Sequence, residues 1–109
     1  SPSSLNLHEY KGVVFELDKA PAAGELQVKV YGDSDGKEQY VIFDKASVSV
    51  DFDPDVLGTK ASRVTLQYLK TGGYSVTVKR LALVKKDGAE EEVAPSVFWG
   101  CNVEMLVNK

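Results

Sequence analysis

The chain is poor in the residues that carry most enzymatic chemistry. One cysteine (Cys101), one histidine (His8) and one tryptophan (Trp99) occur among its 109 residues. A single Cys makes neither an intrachain disulfide nor a Cys-rich zinc site, so the hydrophobic core must stabilise the fold unaided. A Cys–His catalytic pair would have to join Cys101 to His8, which sits in the remote polar segment Leu5–Glu9, and no third group stands out to orient the base. The acids fall mainly in turns, where caps and Asx-turns account for them, so a paired-carboxylate hydrolase lacks material as well. No enzyme is expected.

Long apolar runs are also missing. Leu81–Val84 is four residues, against the roughly 20 that span a bilayer. Positive charge is not in excess: thirteen Lys and Arg against sixteen Asp and Glu give a net charge of −3. Nucleic acid and anionic membranes need clustered cations to displace counterions, so neither is expected as a partner. Gly72-Gly73 leads into a strand rather than a helix, which excludes a phosphate-cradling loop. No segment keeps a 3.6-residue period for three turns; the one helix candidate is a turn started by Asp53 or Asp55, running through Val56-Leu57 and broken at Gly58.

Alternation with period two is present throughout, as in half-buried strands. Val13, Phe15 and Leu17 form one such set, as do Leu26, Val28 and Val30; Val48, Val50 and Phe52; and Val64, Leu66 and Tyr68. From Tyr74 the phase changes: Val76 and Val78 lie on one parity, Leu81 and Leu83 on the other. The slip at Lys79-Arg80 predicts a β-bulge or a strand that switches sheets. Asp35-Gly36 and Asp87-Gly88 are hairpin signals. Glu90–Glu92 reads as a solvated acidic connection before the last strand. Seven or eight strands in about 100 residues predict an all-β fold, an antiparallel β-sandwich of jelly-roll-like or immunoglobulin-like topology. Ser1–Ser4 reads as a linker remnant or expression start without a signal-peptide core, and residues 5–109 as a single domain.

Two segments hint at metal. Asp33-Ser-Asp-Gly-Lys-Glu38 resembles an oxygen-rich calcium loop but lacks the third Asp or Asn and the distant bidentate Glu, and a polar hairpin is the simpler reading. Asp51–Asp55 is equally weak. No cofactor is expected, although a structural calcium held by backbone carbonyls would leave no trace in a sequence. Surface recognition remains. With the apolar parity inward, Gln27, Lys29, Tyr31, Arg63, Thr65, Gln67, Thr77 and Lys79 face outward. Amides and cations pair with hydroxyls, and an aromatic ring covers the apolar face of a sugar.

Three stretches, Leu5–Pro21 (LNLHEYKGVVFELDKAP), Arg63–Gly88 (RVTLQYLKTGGYSVTVKRLALVKKDG) and Val97–Cys101 (VFWGC), together resemble jelly-roll carbohydrate-binding modules. These are appended to polysaccharide-degrading enzymes of gut and rumen Bacteroidetes-type bacteria. The matching features are an L-x-x-Y-K-G opening, a V-x-L-Q strand, a hairpin into V-x-V-K-x-L-x-L-V and a polar K-x-D-G turn. The resemblance covers about two-thirds of the chain. It implies a secreted or cell-surface, non-catalytic module that targets a covalently linked glycoside hydrolase to a β-linked plant polysaccharide such as β-glucan, xylan or mannan. The alternative is a structural or protein-interaction spacer without a sugar ligand. The ligand-facing candidates are Gln67, in the matching strand, then Tyr31, Lys29 and Arg63 by parity, and Trp99 as an aromatic platform. Such modules usually carry one or two strands before the opening segment, so either this is a compact variant or N-terminal material is absent from this chain. In Pro95–Val103, alternation places Val97, Trp99, Cys101 and Val103 on one parity, which predicts a closing strand with Cys101 as a small buried hydrophobe.

Overall fold

The alternating segments form the strands that their period predicts, and the turns fall where Gly, Asp and Pro interrupt them. The computed structural model describes residues 4–71, 76–93 and 103–106. In chain order the elements are β1 (Leu5–Asn6), β2 (Tyr10–Leu17), β3 (Leu26–Tyr31), β4 (Glu38–Phe43), β5 (Ser47–Asp51) and α1 (Pro54–Leu57). There follow β6 (Lys60–Ala61), β7 (Arg63–Tyr68), β8 (Val78–Lys85), β9 (Glu90–Val93) and β10 (Val103–Leu106).

Eight strands make two four-stranded sheets, one ordered β10-β7-β3-β4 and the other β5-β2-β8-β9, while β1 and β6 form a two-stranded ribbon. The inward residues of both sheets share one core. Val13, Phe15, Val50, Leu81 and Leu83 from one sheet meet Leu26, Val28, Val30, Val64 and Leu66 from the other, all buried. Each such side chain contributes about 1.5–3 kcal/mol by leaving water, so this layer holds the sandwich together. Among the described strands, β3–β4 and β8–β9 are consecutive within one sheet, and the other consecutive main strands lie in opposite sheets. An immunoglobulin constant-type domain sets its first strand beside its second. Here β2 lies between β5 and β8, so the described strands form a two-sheet, all-β sandwich whose order differs from that domain's.

Local chemistry explains the joints. The hairpins turn at Gly36 (φ +85°) and Gly88 (φ +91°), a left-handed conformation open to glycine. Asp53 caps α1 by accepting a hydrogen bond from the Asp55 amide (3.0 Å), Pro54 opens the helix, and the Gly58 amide closes it on the Pro54 carbonyl. The phase slip in β8 is a bulge: Glu16 stands opposite Arg80 and Leu17 opposite Val78, which leaves Lys79 as the extra residue.

Three expectations need correction. Glu90–Glu92 is not a loose connection but part of strand β9. There the Arg80 guanidinium bonds Glu16 and Glu92 (both 2.9 Å) and Glu90. Thr65, expected outward and exposed, is fully buried, with its hydroxyl 3.5 Å from the Lys29 carbonyl oxygen. Thr77 and Lys79 belong with the second sheet, away from the Gln27–Tyr31 face. Within the antiparallel sandwich one pair differs: β10 runs parallel to β7, with Val103 opposite Val64 and Leu106 opposite Gln67. The described closing strand starts at Val103, and Pro95–Asn102, including Trp99 and Cys101, lies outside the described residues.

Candidate functional site

The outer face of the β7-β3-β4 sheet collects the polar parity into three rows. Register sets Arg63 beside Tyr31 and Glu38, Thr65 beside Lys29 and Tyr40, and Gln67 beside Gln27 and Ile42. Cross-strand neighbours on one face stand close enough for their side chains to interact. Four of the five expected ligand-facing residues, Gln67, Tyr31, Lys29 and Arg63, thus share one surface. The fifth, Trp99, is outside the described residues.

The side chains interlock. The Lys29 ammonium is 2.9 Å from Glu38 Oε2, 4.6 Å from the Tyr31 ring centre and 5.4 Å from that of Tyr40. The Arg63 guanidinium lies 5.2 Å from the Tyr31 ring centre. Cations over aromatic faces are attracted by the ring quadrupole. The Tyr40 hydroxyl donates to Glu38 Oε1 (2.9 Å), and the Gln27 side-chain amide donates to the Gln67 carbonyl oxygen. The result is a linked series, Arg63–Tyr31–Lys29–Tyr40, fastened at Glu38. Hydrogen bonding to Glu38, and secondarily to Tyr31, pushes the Lys29 ammonium well above its usual range. The same Lys29 contact, with the Tyr40 hydroxyl, holds the Glu38 carboxyl below its ordinary value.

At one end of this face, a cleft of about 390 Å³ opens between the β3–β4 hairpin and the start of β7, with Tyr31, Asp35, Lys37, Glu38, Lys60 and Arg63 among its lining. Asp33 fixes its wall. Its carboxylate accepts from the Thr59 amide (2.9 Å) and hydroxyl (3.2 Å) and lies 3.3 Å from the Lys37 ammonium. These contacts, the Thr59 amide first, hold its carboxyl below the ordinary range. The segment that resembled a calcium loop is therefore a hairpin whose first carboxylate is engaged within the protein. Among the described residues, no group of three or more His, Cys, Asp or Glu side chains is placed to hold a metal ion.

Sequence reasoning overlooked β4. Its outward residues Glu38, Tyr40 and Ile42 complete the face, and Tyr40 and Ile42 are 52% and 59% exposed. The alternation is masked because apolar residues occupy both parities, with Val41 and Phe43 inward, while inward Gln39 is polar. Gln39 is accommodated by bonds to the Asp51 carbonyl (2.6 Å) and the Asp53 amide (3.0 Å).

Comparison of the chain with protein-family models, with curated proteins and with solved structures finds no match. What fold and face define is an all-β sandwich with a polar, aromatic-bearing sheet surface.

Proposed function

We propose that the protein is a non-catalytic carbohydrate-binding module whose site is the outer face of β7, β3 and β4. One observation carries the reading: an exposed tyrosine stands beside a lysine, a glutamate and a paired set of amides on one sheet face. A solvated spacer face would scatter its aromatics singly, whereas here Tyr31 and Tyr40 flank one ammonium. The open ring suits the C–H face of a pyranose, and the amides and charged groups suit its hydroxyls. The ligand class is a β-linked plant polysaccharide such as β-glucan, xylan or mannan. The module is secreted or displayed at the cell surface as part of a larger chain, and it keeps a covalently linked glycoside hydrolase near its substrate. Weak binding suffices there, because the linkage raises the effective concentration of the second event.

A spacer without a sugar ligand draws support from the same contacts, since Gln27 satisfies Gln67 and Glu38 satisfies Lys29 inside the face. Calorimetry against soluble β-glucan, xylan and mannan separates the two. Binding to at least one, weakened by Gln67→Ala with little change in melting temperature, supports the module. Heat of dilution alone with all three supports the spacer.

A further inference from the structure

We propose that Tyr40, rather than Tyr31, is the residue that stacks on the sugar, and that the ligand lies along β4; the inference rests on the carbohydrate-binding reading above. Tyr31 lies on the central strand of the β7-β3-β4 face, which makes it an obvious platform, but its ring is already engaged. It is half-buried, and both the Lys29 ammonium and the Arg63 guanidinium lie over it at 4.6 and 5.2 Å. A pyranose stacking there would have to displace two cations from their ring. Tyr40 differs in each respect. It is 52% exposed, and its hydroxyl is held by Glu38, which Lys29 anchors in turn. Lys29 also approaches the ring itself at 5.4 Å. The ring is thus fixed at its hydroxyl end and steadied by one cation, while about half of the residue faces water. A ligand meeting a pre-set side chain avoids the entropy cost of ordering it.

The neighbours of Tyr40 set the direction. Glu38 and Ile42 lie two positions either side of it on the same strand, and all three share the outer face. At about 3.3 Å per residue this line is roughly 13 Å long. It passes from an apolar contact at Ile42, across the ring, to a carboxylate acceptor at Glu38 beside the cleft. Among the described residues, no other aromatic ring on this face is exposed. A single ring on so short a line fits a short segment of a β-linked glycan, gripped at one pyranose. Affinity therefore saturates early as the oligosaccharide lengthens.

The test is calorimetry of the intact chain with cello-, xylo- and manno-oligosaccharides of increasing length, using the series whose polymer binds the wild type. Tyr40→Ala is expected to weaken binding about tenfold or more, and Tyr40→Phe to stay within about threefold of wild type, because the ring rather than the hydroxyl makes the contact. Tyr40→Trp should bind at least as tightly as wild type. Thermal melts should show all three variants folded, as the side chain is exposed. Wild-type affinity for Tyr40→Ala would overturn the inference while leaving the carbohydrate reading intact. So would an equal loss in Tyr40→Phe, or affinity that keeps climbing with every added sugar. A wild type that binds none of the polysaccharides overturns both.

Discussion

Gly32→Ala should be among the most damaging single-methyl changes in the domain. Gly32 follows β3 where the chain enters the β3–β4 hairpin, and the end of α1 packs directly against it. A methyl carbon built on Gly32 would lie 2.4 Å from the Leu57 carbonyl oxygen and 2.8 Å from Leu57 Cα, both backbone atoms that cannot swing aside. To admit it, α1 must retreat from β3. That movement strains the bond from the Asp33 amide to the Leu57 carbonyl (2.9 Å) and disturbs Leu57, whose side chain is fully buried. Overpacking a filled site costs about 1–3 kcal/mol, and a lost backbone hydrogen bond adds about 0.5–1.5 kcal/mol. The expected loss is therefore about 2–4 kcal/mol. At about 4–8 °C per kcal/mol for a domain near this size, the melting temperature should fall by roughly 8–32 °C. Gly36→Ala is the control. Its Cβ would meet nothing within 4 Å, and only the positive φ of +85° opposes it, which costs about 1–2 kcal/mol. Circular-dichroism melts of the two variants should rank Gly32→Ala as clearly the worse. Equal melting temperatures would refute the close approach of α1 to β3, and with it the account of how the cleft wall is held.

Two further expectations concern pH. The Asp33 and Glu38 carboxyls are both held below their ordinary values, so their stabilisation is present above about pH 4.5 and is lost as the pH falls through the lowered folded values. Thermal midpoints should decline in acid from about pH 4.5 downward, and Asp33→Asn should flatten that decline; an unchanged acid profile in Asp33→Asn would show that its contacts carry no weight. On the alkaline side, Lys29 is raised by Glu38, and a raised ammonium stabilises fully below its unfolded value and loses that contribution only as pH rises through the folded one. Lys29 should accordingly still be charged at its ordinary midpoint of 10.5 when its Cε methylene is followed by NMR titration, and half-loss of charge at that pH would show that Lys29 is not held by Glu38.

The parts of the fold that were legible in the sequence are those decided by neighbours along the chain. Val13, Phe15 and Leu17 reveal an inward face by themselves, the parity change around Lys79 announces a bulge, and Asp53 with Gly58 brackets the single helical turn. Each is a local rule acting over a few residues. Strand β4 was not legible, because Gln39 is inward through bonds to Asp51 and Asp53 and Ile42 is outward at a sheet edge. Both placements depend on partners distant in sequence. The burial of Thr65 and the parallel β7–β10 pairing have the same origin. The site divides likewise. Parity alone grouped Lys29, Tyr31, Arg63 and Gln67, but the roles within the group follow from register. Only the alignment of β4 against β3 brings Glu38 and Tyr40 to Lys29, and that contact leaves Tyr40 as the open ring and Tyr31 as the occupied one. The Arg80 cluster shows the converse: three glutamates that read as a solvated run and a strand residue become one ion network once β2, β8 and β9 lie side by side.

The claim that this face binds a β-linked polysaccharide is tested most directly by native affinity electrophoresis of the intact chain through gels containing soluble β-glucan, xylan or mannan, beside a non-binding reference protein. Retardation in at least one gel, relieved in Tyr40→Ala, is the predicted result. Unchanged mobility of the wild-type chain in all three gels would contradict it.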